Sequence, residues 1–164
     1  MKSRTVILVS IFIYFIFIFC LGKIAFTLIH ASMGGGISFA DLIQVLYHGL
    51  PIDISMSGYL TVIPALLLIA SIWIRRETIT SIYNIYFAII LFVIAIITVA
   101  DIVVYPYWGF HFDSSVFLYL QKPKETFASA SVPMLGLALL ITIVVAFVYY
   151  ALYSVTIKRM ISRL

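Results

Sequence analysis

Charged residues are so sparse along this chain that their positions divide it into segments. Thr5 to Leu28 carries a single charge, Lys23, and three further apolar runs follow at Met56 to Ile74, about Ile82 to Tyr105, and Val132 to Ile157. At ~1.5 Å of rise per residue, roughly 20 residues cross the ~30 Å hydrocarbon layer of a bilayer. The pattern predicts an all-α integral membrane fold with four transmembrane helices at 5–28, 56–74, 82–105 and 132–157, forming one transmembrane domain over residues 1–164. The first run is too long for the apolar core of a cleaved signal peptide.

The segments between the runs carry their own signals. Gly34-Gly35-Gly36 breaks the first helix, because three glycines lose too much backbone entropy to stay helical. Ser38-Phe39-Ala40-Asp41 matches a capping box, and Phe39, Leu42, Ile43, Leu46 and Tyr47 share one helical face. This predicts a short interfacial helix over 39–48, ended by Gly49 and Pro51. Asp53 and Ser55 then read as N-caps for the second span, and Pro64 lies inside it, where it removes one backbone bond. Glu77 to Thr80 reads as a polar turn and Pro106 as the end of the third span. Asp113-Ser114-Ser115 and Pro123 predict two more surface helices, 115–121 and 124–130.

Composition agrees with a membrane protein. Of 164 residues, 65% are hydrophobic and 10% charged, with a mean hydropathy of +1.23. A water-soluble domain normally has about 25% charged residues. The net charge of +4 does not point to nucleic acid, because the basic residues mark the ends of apolar runs instead of forming a patch. Seven of the ten Lys and Arg (Lys2, Arg4, Arg75, Arg76, Lys158, Arg159, Arg163) fall on one side of the four-span topology. The positive-inside rule then predicts a multi-pass protein of a bacterial plasma (inner) membrane with both termini cytoplasmic. The lone Cys20 excludes an internal disulfide.

Residues 41–60 and 101–120 match at a constant offset of 60 in seven places: Asp41/Asp101, Tyr47/Tyr107, Gly49/Gly109, Asp53/Asp113, Ser55/Ser115, Tyr59/Tyr119 and Leu60/Leu120. Both copies are expected on the outer side. Capping explains Asp53 and Asp113; alternatively, two capped helix starts with Lys122 and Lys124 nearby form a seat for an anionic lipid headgroup. Tyr47, Gly49, Tyr107, Trp108, Gly109 and His111 complete that candidate interface, and the aromatics also suit a membrane belt.

Asp101 is an ionisable group inside a span, where burial at the centre costs about 2.5–3.5 kcal/mol. It reads as a polar clamp between helices, or as a proton relay or a headgroup contact. Lys23 either snorkels to the headgroups or serves as the counter-ion of Asp101. His30, His48 and His111 lack metal-ligand spacing. No catalytic set, phosphate-binding glycine loop or dinucleotide fingerprint occurs, so no cofactor is expected in this chain.

The blocks Gly49 to Tyr59 (GLPIDISMSGY), Asp101 to Asp113 (DIVVYPYWGFHFD), Tyr119-Leu120 and Pro123 to Ser129 (PKETFAS) resemble the membrane half of lipoteichoic-acid-synthase-like proteins of the alkaline phosphatase and sulfatase superfamily, in the form found in Bacteroides-type bacteria. The resemblance implies about five transmembrane helices followed by an extracytoplasmic catalytic domain. That domain would use a threonine nucleophile and a divalent metal to move phosphoglycerol or a related group from a phospholipid. This chain has four spans and none of those catalytic residues. The expected function is therefore membrane anchoring, with lipid presentation, for an extracytoplasmic catalytic domain that the chain lacks, and it would be inactive alone. The partners implied are the phospholipid bilayer, an anionic headgroup and that catalytic domain, with no nucleic acid. A small transporter or proton-coupled subunit, or a structural partner subunit, are the alternatives.

Overall fold

The computed structural model describes residues 2–34, 36–109 and 132–162. Among these residues there are five helices and no strand: α1 (Lys2–Gly34), α2 (Phe39–Ala70), α3 (Arg76–Trp108), α4 (Val132–Val155) and the short α5 (Ile157–Ile161). Helices α1 to α4 are each long and apolar enough to cross a membrane, and the protein is a multi-pass membrane protein. The expected helices 115–121 and 124–130 lie outside the described residues.

Several boundaries differ from expectation, each for a physical reason. The interfacial helix 39–48 is helical but continues without a break into the second span, so that Gly49 and Pro51 lie inside one helix of 32 residues. Within a membrane an interrupted backbone would expose unpaired polar groups, which favours continuing the helix over breaking it. Asp53 is therefore in mid-helix and is not an N-cap. The capping box is present where expected: the Ala40 N–H donates to Ser38 Oγ (3.3 Å) and the Ser38 N–H to Asp41 Oδ2 (3.1 Å). Glu77 to Thr80 forms the first turn of α3 instead of a loop, and Thr80 Oγ1 donates to the Arg76 carbonyl (2.9 Å). Pro106 is taken into α3, which ends at Gly109 in the left-handed conformation (φ 71°). That glycine's N–H donates to the Tyr105 carbonyl at 2.8 Å, a glycine C-cap.

The bundle is two helical hairpins, α1 with α2 and α3 with α4, joined where α1 meets α3; α5 packs against α1 and α3. Core positions recur every three or four residues: Ile7, Ile11, Tyr14, Phe15 and Ile18 on α1, and Ile79, Tyr83, Phe87, Leu91 and Ala95 on α3. Tyr149, Tyr153, Ile157 and Ile161 extend the same step across α4 and α5. Phe15, Phe87 and Tyr153 stack in sequence across three helices, with ring centroids 5.5 and 4.1 Å apart. Such pairs add ~0.5–1.5 kcal/mol each beyond burial. The opposite faces of the helices expose Val9, Ile13, Phe17, Leu66, Ile89 and Val144, as a surface solvated by lipid requires.

Tyrosine hydroxyls tie the hairpins together. Pro64 has no N–H to give the Leu60 carbonyl, four residues earlier, and Tyr86 Oη donates to that carbonyl at 2.6 Å. Tyr83 Oη donates to the Pro64 carbonyl (2.6 Å) and Tyr14 Oη to the Tyr149 carbonyl (2.7 Å), while Tyr153 Oη donates to Asn84 Oδ1 (3.0 Å) within the α3–α4 hairpin.

Candidate functional site: a buried ion pair between the first two helices

Every fourth residue of α2 from Gly49 to Ala65 is small or polar: Gly49, Asp53, Ser57, Thr61 and Ala65. In a helix this spacing makes one stripe, and Asp53, Ser57 and Thr61 are all buried against the rest of the bundle. Small side chains let two helices approach closely in a membrane. Facing this stripe, Lys23 of α1 sends its Nζ to both Asp53 oxygens, at 2.7 Å each. The Asp53 side chain is 5% exposed and that of Lys23 27%. Cys20, one turn earlier on α1, places its Sγ 4.0 Å from Asp53 Oδ2.

Gly49 makes the approach possible. A Cβ at that position would overlap Lys23 Nζ and lie 2.7 Å from Cε and 3.2 Å from Cδ. The lysine stem therefore crosses the bare face of Gly49 and ends on the carboxylate one turn further on. A second close approach occurs at Gly22, where an added Cβ would meet Thr98 at 3.4 Å and Tyr149 Oη at 3.7 Å. Below Asp53, Thr61 Oγ1 donates to the Ser57 carbonyl (2.6 Å), and among the described residues no hydrogen-bond partner reaches the buried Ser57 Oγ.

This arrangement corrects several expectations. Lys23 does not snorkel, and its ion-pair partner is Asp53 where the sequence reading offered Asp101. Asp53 lies in the middle of a helix, so it forms no capped helix start and no outward headgroup seat. Asp101 is half-buried in α3, one turn before Tyr105, whose ring packs 4.9 Å from Phe26 and 5.0 Å from His30. His30 is half-buried, with Nδ1 bonded to the Phe26 carbonyl at 2.9 Å. Tyr47 is 72% exposed and lies edge-on to His48. Tyr107 and Trp108 form the last residues of α3, and Gly109 its cap. His111, Asp113, Lys122 and Lys124 lie outside the described residues. The two copies of the internal repeat are not structurally equivalent: Gly49 is helical and buttresses Lys23, whereas Gly109 terminates a helix with positive φ.

Chemically, the site is a charge clamp. Bidentate contact in a low-dielectric interior gives a strong attraction, and each charge depends on the other to offset its desolvation. Among the described residues, no group of three His, Cys, Asp or Glu side chains is placed to hold a metal ion. No protein-family model matches the chain, and no curated protein or solved structure matches it.

Proposed function

We propose that this chain is the membrane anchor of a lipoteichoic-acid-synthase-like enzyme, holding an extracytoplasmic catalytic domain at the surface of a bacterial plasma membrane. The observation that carries this reading is the use made of the Gly49 to Tyr59 block, the part of α2 that resembles the family. Its glycine and aspartate grip Lys23 and fix α1 against α2. A rigid bundle is what an anchor requires, and the aromatic stack and tyrosine ties supply the rest of that rigidity. Tagging the chromosomal gene and examining membranes of the native host tests the reading. The expected result is a tagged species well above 18.5 kDa, or an 18.5 kDa species that co-purifies with a phosphatase-type enzyme. An 18.5 kDa species with no such partner overturns it.

A second reading, a small proton-coupled membrane subunit, is favoured by the same ion pair, because charges buried within spans mark proton and ion paths. Proton flux into proteoliposomes of the purified chain, abolished by Asp53→Asn, would support it. Absence of flux in the wild-type chain would remove it.

A further inference from the structure

At the end of the bundle opposite the α1–α2 turn, four segments converge on a small cavity. Arg4 of α1, Ser71 just past α2, Arg76, Ile79 and Thr80 of α3, and Ile161 of α5 line a space of about 40 Å³. Ile79 and Ile161 are buried and close it on the bundle side. A single water needs roughly 10–15 Å³ by this measure, so the space takes a group of a few heavy atoms and no acyl chain.

The electrostatics are one-sided. Lys2, Arg4, Arg75, Arg76, Lys158 and Arg159 all belong to segments at this end, against one acidic side chain among the described residues, Glu77, which is exposed and does not line the cavity. Among the described residues, neither Arg4 nor Arg76 has a carboxylate within ion-pair distance. Ser71 Oγ donates to the Leu68 carbonyl (2.7 Å) and Thr80 Oγ1 to the Arg76 carbonyl, which commits both hydroxyl protons and leaves the guanidinium N–H groups as donors. Helix α3 begins here without a side-chain cap, so the positive end of its dipole adds to the field. The spans Arg4–Ala31 and Arg76–Pro106 both begin at this level, and the headgroup region of a bilayer lies at the ends of its spanning helices.

We propose that Arg4 and Arg76 form a phosphate-binding site that takes the phosphodiester of an anionic phospholipid at this membrane surface. Guanidinium forks match phosphate oxygens in geometry and charge, and basic pockets between transmembrane helices are suited to anionic headgroups. The site is independent of the anchoring role, since it lies at the other end of the bundle from the Lys23–Asp53 pair.

Native mass spectrometry of the full chain in detergent tests the site, with phosphatidylglycerol, diacylglycerol and inorganic phosphate as probes. The wild-type chain should retain one phosphatidylglycerol and no diacylglycerol. The Arg4→Gln/Arg76→Gln variant should lose about tenfold in retention, whereas Lys158→Gln/Arg159→Gln, which removes the same charge beside the cavity, should change it little. Arg4→Lys/Arg76→Lys keeps the charge and loses the fork, so it should weaken retention with the helical circular dichroism unchanged, a readout that stands even if the glutamine variant misfolds. Displacement of the lipid by millimolar inorganic phosphate would uphold the phosphate site and assign it to the free anion. Equal losses in the two glutamine variants, or equal retention of diacylglycerol, would overturn it.

Discussion

Lys23, Asp53 and Gly49 form one unit, and substitutions should show this. Removing one member of a buried ion pair strands the other charge, at a cost of about 3–5 kcal/mol, whereas an apolar pair of similar volume is often neutral. Lys23→Met and Asp53→Leu should each destabilise the detergent-solubilised protein by about that amount, and the double variant should recover most of the loss. Titration with a denaturing detergent, followed by circular dichroism, measures it; additive losses would mean that the contact is incidental. Gly49→Ala gains about 1 kcal/mol of helix propensity but displaces the lysine tip, so its net effect should be a loss smaller than that of Lys23→Met. A net gain would show that the lysine does not need the gap. Both charges were visible in the sequence, and their pairing was not. Reading Asp53 as an N-cap placed it ahead of the second helix, although the four-residue recurrence of Gly49, Asp53, Ser57 and Thr61 already marked a continuous helical stripe. Cys20 was legible only as a residue in an apolar run, because nothing local to it indicates Asp53, 33 positions away.

Along α2, the sequence foretold the capping box at Ser38 and the missing bond at Pro64, but not the continuity through Gly49 and Pro51. Local propensity argued for a stop there, and the requirement to pair backbone groups away from water prevailed. The partner of the orphaned Leu60 carbonyl lies on another helix, beyond the reach of local pattern. This leads to a cycle between Pro64 and Tyr86. Tyr86→Phe should cost about 1–3 kcal/mol, since the part-buried carbonyl loses the hydroxyl that replaces its helical donor. In a Pro64→Ala background the restored N–H serves that carbonyl, and the same change should cost distinctly less. The same unfolding titration reads both, and equal costs in the two backgrounds would disconnect the hydroxyl from the proline.

For the molecule as a whole, the number of spans and their order were plain from the spacing of charges. The pairing of helices into hairpins was not, because lipid-facing and core-facing residues are nearly equally apolar in a membrane. The shared cavity places Arg4 and Arg76 at one end, so the N-terminus and the α2–α3 turn emerge together. In a Cys20→Ser background, an impermeant thiol reagent should therefore reach Arg75→Cys from the face of the membrane at which an antibody reaches an N-terminal epitope, and Ser38→Cys from the other. Reaction of both cysteines from the same face would contradict the arrangement of spans. By the positive-inside rule, the reagent is expected to reach Arg75→Cys from the cytoplasmic face.

The length of α2 has a further consequence. Its 32 residues measure roughly 48 Å, well beyond the ~30 Å hydrocarbon thickness, while Lys23 and Asp53 pin its register against α1. Surplus length has to be absorbed by leaning or by overhang, and the overhanging turn would carry Phe39, Ile43 and Tyr47, all exposed, among the glycerol backbones. A protein fastened in this way rides at a set depth and meets thinner or thicker bilayers by changing its slant, without loosening its interior.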